Sequence, residues 1–172
     1  MNNQSKFNSI GPMAYLLTFN TYGSWFHGDE IGSVGRITNN IPGTPLVEPN
    51  KKLEEREKHA CKQIVIHFNW QQRKSIECVI SEVCKFNKWI LHAVNARTEH
   101  VHVVVTAIKP PELVMNSFKS WCTRKLREKG LLGEDIKPWS RHGSTRYLWD
   151  ESSLHDACRY VIEFQDNRPG YT

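Results

Sequence analysis

A chain of 172 residues with 39% hydrophobic and 24% charged residues is long enough to bury one core without disulfides or a structural metal, and reads as a single domain over 1–172. No apolar run approaches the roughly 20 residues needed to cross a bilayer, and MNNQSKFNSIGPM (1–13) has neither the basic nor the apolar region of an export signal; both argue for a cytoplasmic protein without a membrane partner. The net charge of +5 is concentrated in 119–146, where eight basic residues face three acidic ones and the rest of the chain is neutral, a distribution expected of a basic face for a polyanion or of an ordinary solvated helix face.

AYLLTFNTYGSWF (14–26) is rich in aromatic and β-branched residues and predicts a first strand ending near Gly23. The Gly-, Pro- and Asn-rich stretch over 27–50 has no period and is expected to be a long loop, a candidate substrate-contacting arm. Residues 51–62 are charged and read as helical, and QIVIHF (63–68) is a candidate short strand. From Trp70 to Asn87, Ile76, Val79, Ile80, Val83 and Phe86 recur at helical spacing, predicting an amphipathic helix. WILHAVNA and HVHVVVTAI, joined by RTE, predict an antiparallel hairpin.

PPELVMNSFKSWCTRKLREKG opens on proline and glutamate and closes on Gly130, with Val114, Phe118, Trp121 and Cys122 on one side, which predicts a second helix. A turn-rich basic stretch leads to a last strand at TRYLW, and DESSLHDACRYVIEFQ predicts a final helix capped at Asp150 or Ser152. This order is that of an α+β, ferredoxin-like sandwich: a mainly antiparallel sheet with helices on one face, plus a C-terminal helix. The five cysteines are scattered, contain no Cys-x-x-Cys pair, and are expected to be small buried hydrophobes in a reducing compartment.

EHVHVVVTA (99–107) carries the chemistry. Alternation along a strand points Val101, Val103 and Val105 one way, into the core, and His100, His102 and Val104 the other. Two imidazoles roughly 6 to 7 Å apart along the backbone can converge on one cation, although a His-x-His pair also arises by chance and serves equally as satisfied core histidines. In the final helix Tyr160 neighbours Glu163 and Gln165, whose side-chain oxygens suit a hard cation. A phenol is a feasible nucleophile toward phosphorus, although its ordinary pKa near 10 means the site must help it lose a proton; a core aromatic is the plainer reading.

YLLTFNTYGSWFHGD, NARTEHVHVVV, MNSFKSWCTRKLREKG, WSRHGSTRYLW and RYVIEFQ occur in an order that resembles the HUH single-tyrosine transposases, most closely the REP-associated tyrosine transposase-like branch. The resemblance implies a metal-dependent transposase that cleaves and rejoins single-stranded or hairpin DNA through a 5′-phosphotyrosine. It casts His100 and His102 as metal ligands and Tyr160 as nucleophile, with Mg²⁺ or Mn²⁺ as the ion and a monomer or homodimer as the assembly. Similar proteins place a Gln or Asn ligand four residues after the tyrosine, where this chain has Phe164. Glu163 comes closest to the Tyr160 face on an ideal helix, whereas Gln165 matches the glutamine that ends the motif in similar sequences and needs a helix bulge to reach the site. Both stay candidates, with Gln165 slightly favoured.

Lys119, Arg124, Lys125, Arg127, Arg141, His142 and Arg146 are the candidate DNA contacts, with Trp121, Trp139 or Tyr147 as base-stacking candidates. The Phe164 departure keeps open a domesticated DNA- or RNA-binding protein without catalysis. A histidine-triad hydrolase would need a third alternating histidine where Val104 stands, and a two-histidine phosphoesterase would need the motif twice.

Overall fold

The structure is a computed structural model and describes residues 11–24, 51 and 64–163. The loop expected over 27–50, nearly all of the helix expected over 51–62, and Phe164 and Gln165 lie outside the described residues. Strands β1 (Ala14–Thr21), β2 (Ile90–Ala96), β3 (His100–Thr106) and β4 (Trp139–Leu148) form one antiparallel sheet in the order β2-β3-β1-β4. Helices α1 (Trp70–Asn87) and α2 (Pro111–Glu128) are inserted after β1 and β3, and α3 (Glu151–Glu163) follows β4. This is the α+β, ferredoxin-like arrangement.

Local chemistry explains most element boundaries. Asn69 caps α1, its side chain accepting from the Gln72 amide while Gln72 accepts from the Asn69 amide, and Lys88 ends the helix in the left-handed region at φ 57°. Pro111 opens α2, and Gly130, at φ +66°, turns the chain away beyond it. Asp150 caps α3 by accepting from the Ser153 amide at 2.8 Å, so the cap falls on Asp150 rather than Ser152.

Two apolar layers enclose the sheet. On one face Tyr15, Leu17, Phe19, Val101, Val103 and Val105 pack under Ile76, Val79, Ile80 and Val83 of α1 and Val114, Phe118, Cys122 and Leu126 of α2. On the other face Ala14, Ala93, Val104 and Leu148 meet Ala157 and Val161 of α3. Both faces of β3 are therefore covered, one by a large aliphatic core and one by a small core beside the histidines.

Several expectations need correction. Residues 64–68 form no strand; the segment is tied by the Ile66 amide to the Tyr22 carbonyl and by the Phe68 amide to the Thr98 carbonyl. β1 stops at Thr21, and β4 begins at Trp139, well before TRYLW. Phe86, expected on the apolar stripe, is 83% exposed in the last turn of α1. Cys84 and Cys122 are the buried hydrophobes expected, with burial pushing their thiols upward, that of Cys84 to about 11, whereas Cys78 is exposed.

β1 and β4 lose register between Phe19 and Thr21, so β4 bulges at 140–142. Gly143 lies at the edge of that bulge, where a Cβ would stand 2.5 Å from the Thr18 carbonyl oxygen and 2.6 Å from the Met115 sulfur. One contact is backbone and cannot yield without moving the strand. Gly143→Ala is therefore expected to lower unfolding free energy by about 1–3 kcal/mol, measured by urea denaturation; unchanged stability would mean that the bulge is not close-packed against α2.

Candidate active site

The register of β3 with its neighbours assembles a polar patch beneath α3. Thr18 and Asn95 stand opposite His102 from the two flanking strands, and Asn20 stands opposite His100. Directly opposed residues in an antiparallel pair share a face, so all five side chains emerge on the α3 side. The His100 and His102 rings lie 4.7 Å apart between centroids with planes at 70°. The ring of Tyr160, from α3, meets His102 edge-on at 5.5 Å. His102 and Tyr160, 58 positions apart in sequence, are thus neighbours within one chain.

Burial differs within this group. His102 is only 5% exposed, whereas Tyr160 is 37% exposed at the mouth of a cleft of about 350 Å³. Leu16, Thr18, Ser144, Arg146, Asp156, Ala157 and Tyr160 line the cleft. Buried imidazoles need partners, and the Thr18 hydroxyl supplies one to His102 through a 2.7 Å hydrogen bond at Nδ1. That bond engages Nδ1, so the ring's orientation is tied to β1.

A further histidine, His92, lies at the far end of the same face. Thr106 donates its hydroxyl proton to the Met13 carbonyl at 2.6 Å, so its 2.8 Å bond with His92 must be donated by His92 Nε2. Burial lowers the His92 pKa, which favours the neutral ring.

Among the described residues, no group of three His, Cys, Asp or Glu side chains forms a metal-type cluster. Glu163 therefore does not complete one with His100 and His102; its carboxylate lies 3.3 Å from the Arg159 guanidinium on the exposed side of α3. The two imidazoles and the Thr18 bond behind one of them fit two positions of a cation's shell, and an oxygen ligand such as Gln165 would be needed to add a third.

The candidate DNA contacts separate into groups. Arg146 stands opposite Leu16 and lines the Tyr160 cleft, and Arg141 and His142 are exposed on the β4 bulge. Arg124, Lys125 and Arg127 belong to α2, across the sheet from Tyr160. Arg124 covers the Trp121 ring at 4.9 Å, Lys125 pairs with Glu128, and Arg127 donates to the Ile136 carbonyl; Arg124 and Arg127 line a more open cleft of about 610 Å³. Trp139 is a core residue, edge-on to Phe19 and Phe68 with its indole N–H donating to the Lys119 carbonyl and the Thr123 hydroxyl, whereas Tyr147 is exposed and stacks on Trp149.

Lys119 leaves the contact set altogether. It is 8% exposed, and its ammonium donates to the Ser140 and His142 carbonyls at 3.0 Å each while lying 5.7 Å from the centre of the Phe19 ring. This side chain clamps the β4 bulge to α2 instead of facing solvent. Thr18, Asn95 and Ser144 were not among the sequence candidates, because nothing in a lone Thr, Asn or Ser within a strand marks it; strand pairing alone puts them beside His102 and Tyr160.

No protein-family model and no curated protein match this chain. Among solved structures, it is similar to a REP-associated tyrosine transposase bound to a REP hairpin, at 11% identity and a TM-score of 0.46 over 88% of this chain and 66% of that one. It is also similar to a candidate transposase from Deinococcus radiodurans R1, at 12% identity and a TM-score of 0.45 over 94% and 95% of the two chains. At those values the likeness identifies neither family nor activity, and the site rests on this chain's own geometry. Among the described residues, no helix is long and apolar enough to cross a membrane.

Burial lowers the Lys119 pKa from its ordinary 10.5 to about 8. Between those values the unfolded chain binds more protons at this position than the folded one, so this lysine makes folding more favourable as pH rises. Wild-type stability is expected to increase relative to Lys119→Met on going from pH 8 to 10.5, measured by urea denaturation at several pH values; a constant difference would place the ammonium in contact with water.

Proposed function

We propose that this protein is a metal-dependent single-stranded DNA transposase that cuts and rejoins DNA through Tyr160. The observation that carries the reading is the edge-on contact of the Tyr160 and His102 rings at 5.5 Å, with His100 a further 4.7 Å along the same strand face. The quoted sequence blocks support the same reading, and hairpin DNA with a single-stranded flank is the proposed substrate.

His100 and His102 would hold Mg²⁺ or Mn²⁺, with Gln165 as the proposed third ligand. Bound there, the ion supplies positive charge that offsets the charge developing on the scissile phosphate and helps to orient it. Tyr160, at the mouth of the cleft, attacks phosphorus in line as its phenolic proton passes to solvent. The new bond joins the phenolic oxygen to phosphorus, the bond from phosphorus to the 3′ oxygen breaks, and that oxygen takes up a proton. The products are a 5′-phosphotyrosine and a free 3′-OH, which can reverse the step and rejoin DNA without ATP. Arg146 borders the same cleft and neutralises an adjoining phosphate, while Arg141, His142, Arg124, Lys125 and Arg127 contact the backbone farther away.

A DNA- or RNA-binding protein without catalysis is the second reading. It is favoured by Phe164 at the usual ligand position and by the lack of a third His, Cys, Asp or Glu beside the histidines among the described residues.

Hairpin DNA with a labelled single-stranded flank, incubated with protein and Mn²⁺, separates the two. A covalent adduct that survives denaturation and is lost in Tyr160→Phe and in excess EDTA is expected; a mobility shift without any adduct would establish the binding protein instead. Arg146→Ala is expected to weaken DNA binding and to reduce the slope of log K against log salt by about 1, read from titrations over a range of salt concentrations. An unchanged slope would remove Arg146 from the phosphate contacts.

A further inference from the structure

Thr18 and Asn95 are not among the groups proposed to react, yet the register sets them on either side of His102, one from β1 and one from β2. Their hydrogen bonds reach the two halves of the site. Thr18 Oγ1 lies 2.7 Å from His102 Nδ1, and Asn95 Nδ2 donates at 2.9 Å to the carbonyl of Val161, the residue after Tyr160.

Each bond settles a freedom that apolar packing leaves open. An imidazole has a broad, roughly two-fold torsion about its ring bond, so burial alone does not decide which nitrogen faces the site; a partner at Nδ1 does. When Nε2 holds an ion, the ring proton resides on Nδ1 and is donated to the Thr18 oxygen, which fixes ring angle and tautomer together. Helix α3, for its part, rests on the sheet through the apolar side chains Ala157 and Val161, with Leu154 and Cys158 beside them, and apolar contacts carry no directional preference that would by themselves fix its register. The directional bond from Asn95 to the Val161 carbonyl of α3 sets that register.

We propose that Thr18 and Asn95 are positioning residues that jointly set the spacing between His102 and Tyr160: Thr18 orients the imidazole toward the ion, and Asn95 holds the tyrosine-bearing turn of α3 over it. This rests on the strand-cleaving reading above, and it divides the labour in a way that experiment can separate. Thr18 acts on metal binding, whereas Asn95 acts on the attack and leaves metal binding alone.

The full-length chain and its variants are titrated with Mn²⁺ by calorimetry, and adduct formation is timed at saturating Mn²⁺ and DNA. Thr18→Val, isosteric and suited to a strand, is expected to weaken Mn²⁺ binding by about 10- to 100-fold, with Thr18→Ser restoring it. Asn95→Leu is expected to bind Mn²⁺ as the wild type does and to form adduct about 100-fold more slowly. Nitrogen-15 spectra of the metal-free histidines give a second readout: His102 keeps one tautomer in the wild type and Thr18→Ser, and changes in Thr18→Val. Wild-type Mn²⁺ affinity or an unaltered His102 spectrum in Thr18→Val would overturn the role of Thr18, and an unchanged adduct rate in Asn95→Leu that of Asn95. Wild-type Mn²⁺ affinity in His102→Ala would instead overturn the metal reading itself, and this proposal with it.

Discussion

Strand β3 is covered on both faces, and the period of two in its side chains decides what each cover can be. Val101, Val103 and Val105 are completely buried beneath α1 and α2, while Val104 and His102 are buried beneath α3. A slip of one residue would drive two imidazoles into the aliphatic core at a cost of several kcal/mol and would send three valines to the polar side. The histidine face is itself divided. Val104 is flanked by Leu16 and Ala93, whereas His102 is flanked by Thr18 and Asn95 and His100 by Asn20. Helix α3 straddles the boundary, its Ala157 and Val161 on the apolar half and Tyr160 over the polar half.

A second constraint ties the basic segment to the sheet. The β4 bulge turns the Ser140 and His142 carbonyls toward α2, where the Lys119 ammonium receives them. Burying that charge is costly, and the two carbonyls and the adjacent Phe19 ring offset much of the cost. Gly143 lets Met115 come within reach of the strand at the same place. The consequence for function is that residues close together in sequence are distributed around the sheet. Arg146 reaches the Tyr160 cleft, Arg141 and His142 stand on the bulge, and Arg124, Lys125 and Arg127 belong to a helix on the opposite face.

Both long described helices and the hairpin between them were legible in the chain because their determinants are local. Asn69 with Gln72, Pro111 with Glu112, and the spacing of Ile76, Val79, Ile80 and Val83 act within a few turns of helix, and valine alternation in β3 needs no partner to be read. β4 was less legible: its first half, WSRHG, is polar and lies on a sheet edge, so it lacks the apolar alternation that marks a half-buried strand. Lys119 misled for a related reason. A lysine in a run of basic residues looks solvated until another element supplies carbonyls to its ammonium.

Residue order alone established the helices, the two-sided character of β3 and the pair of histidines on one of its faces, since side-chain direction along a strand or helix repeats with a fixed local period. It could not establish that Thr18, Asn95 and Tyr160 surround His102, or that Glu163 turns to Arg159 and Lys119 turns inward. Those relations depend on sheet order, strand register and the docking of α3, which are properties of contacts between segments far apart in the chain. Their energies are settled only when burial and hydrogen-bond satisfaction are optimised across the whole fold.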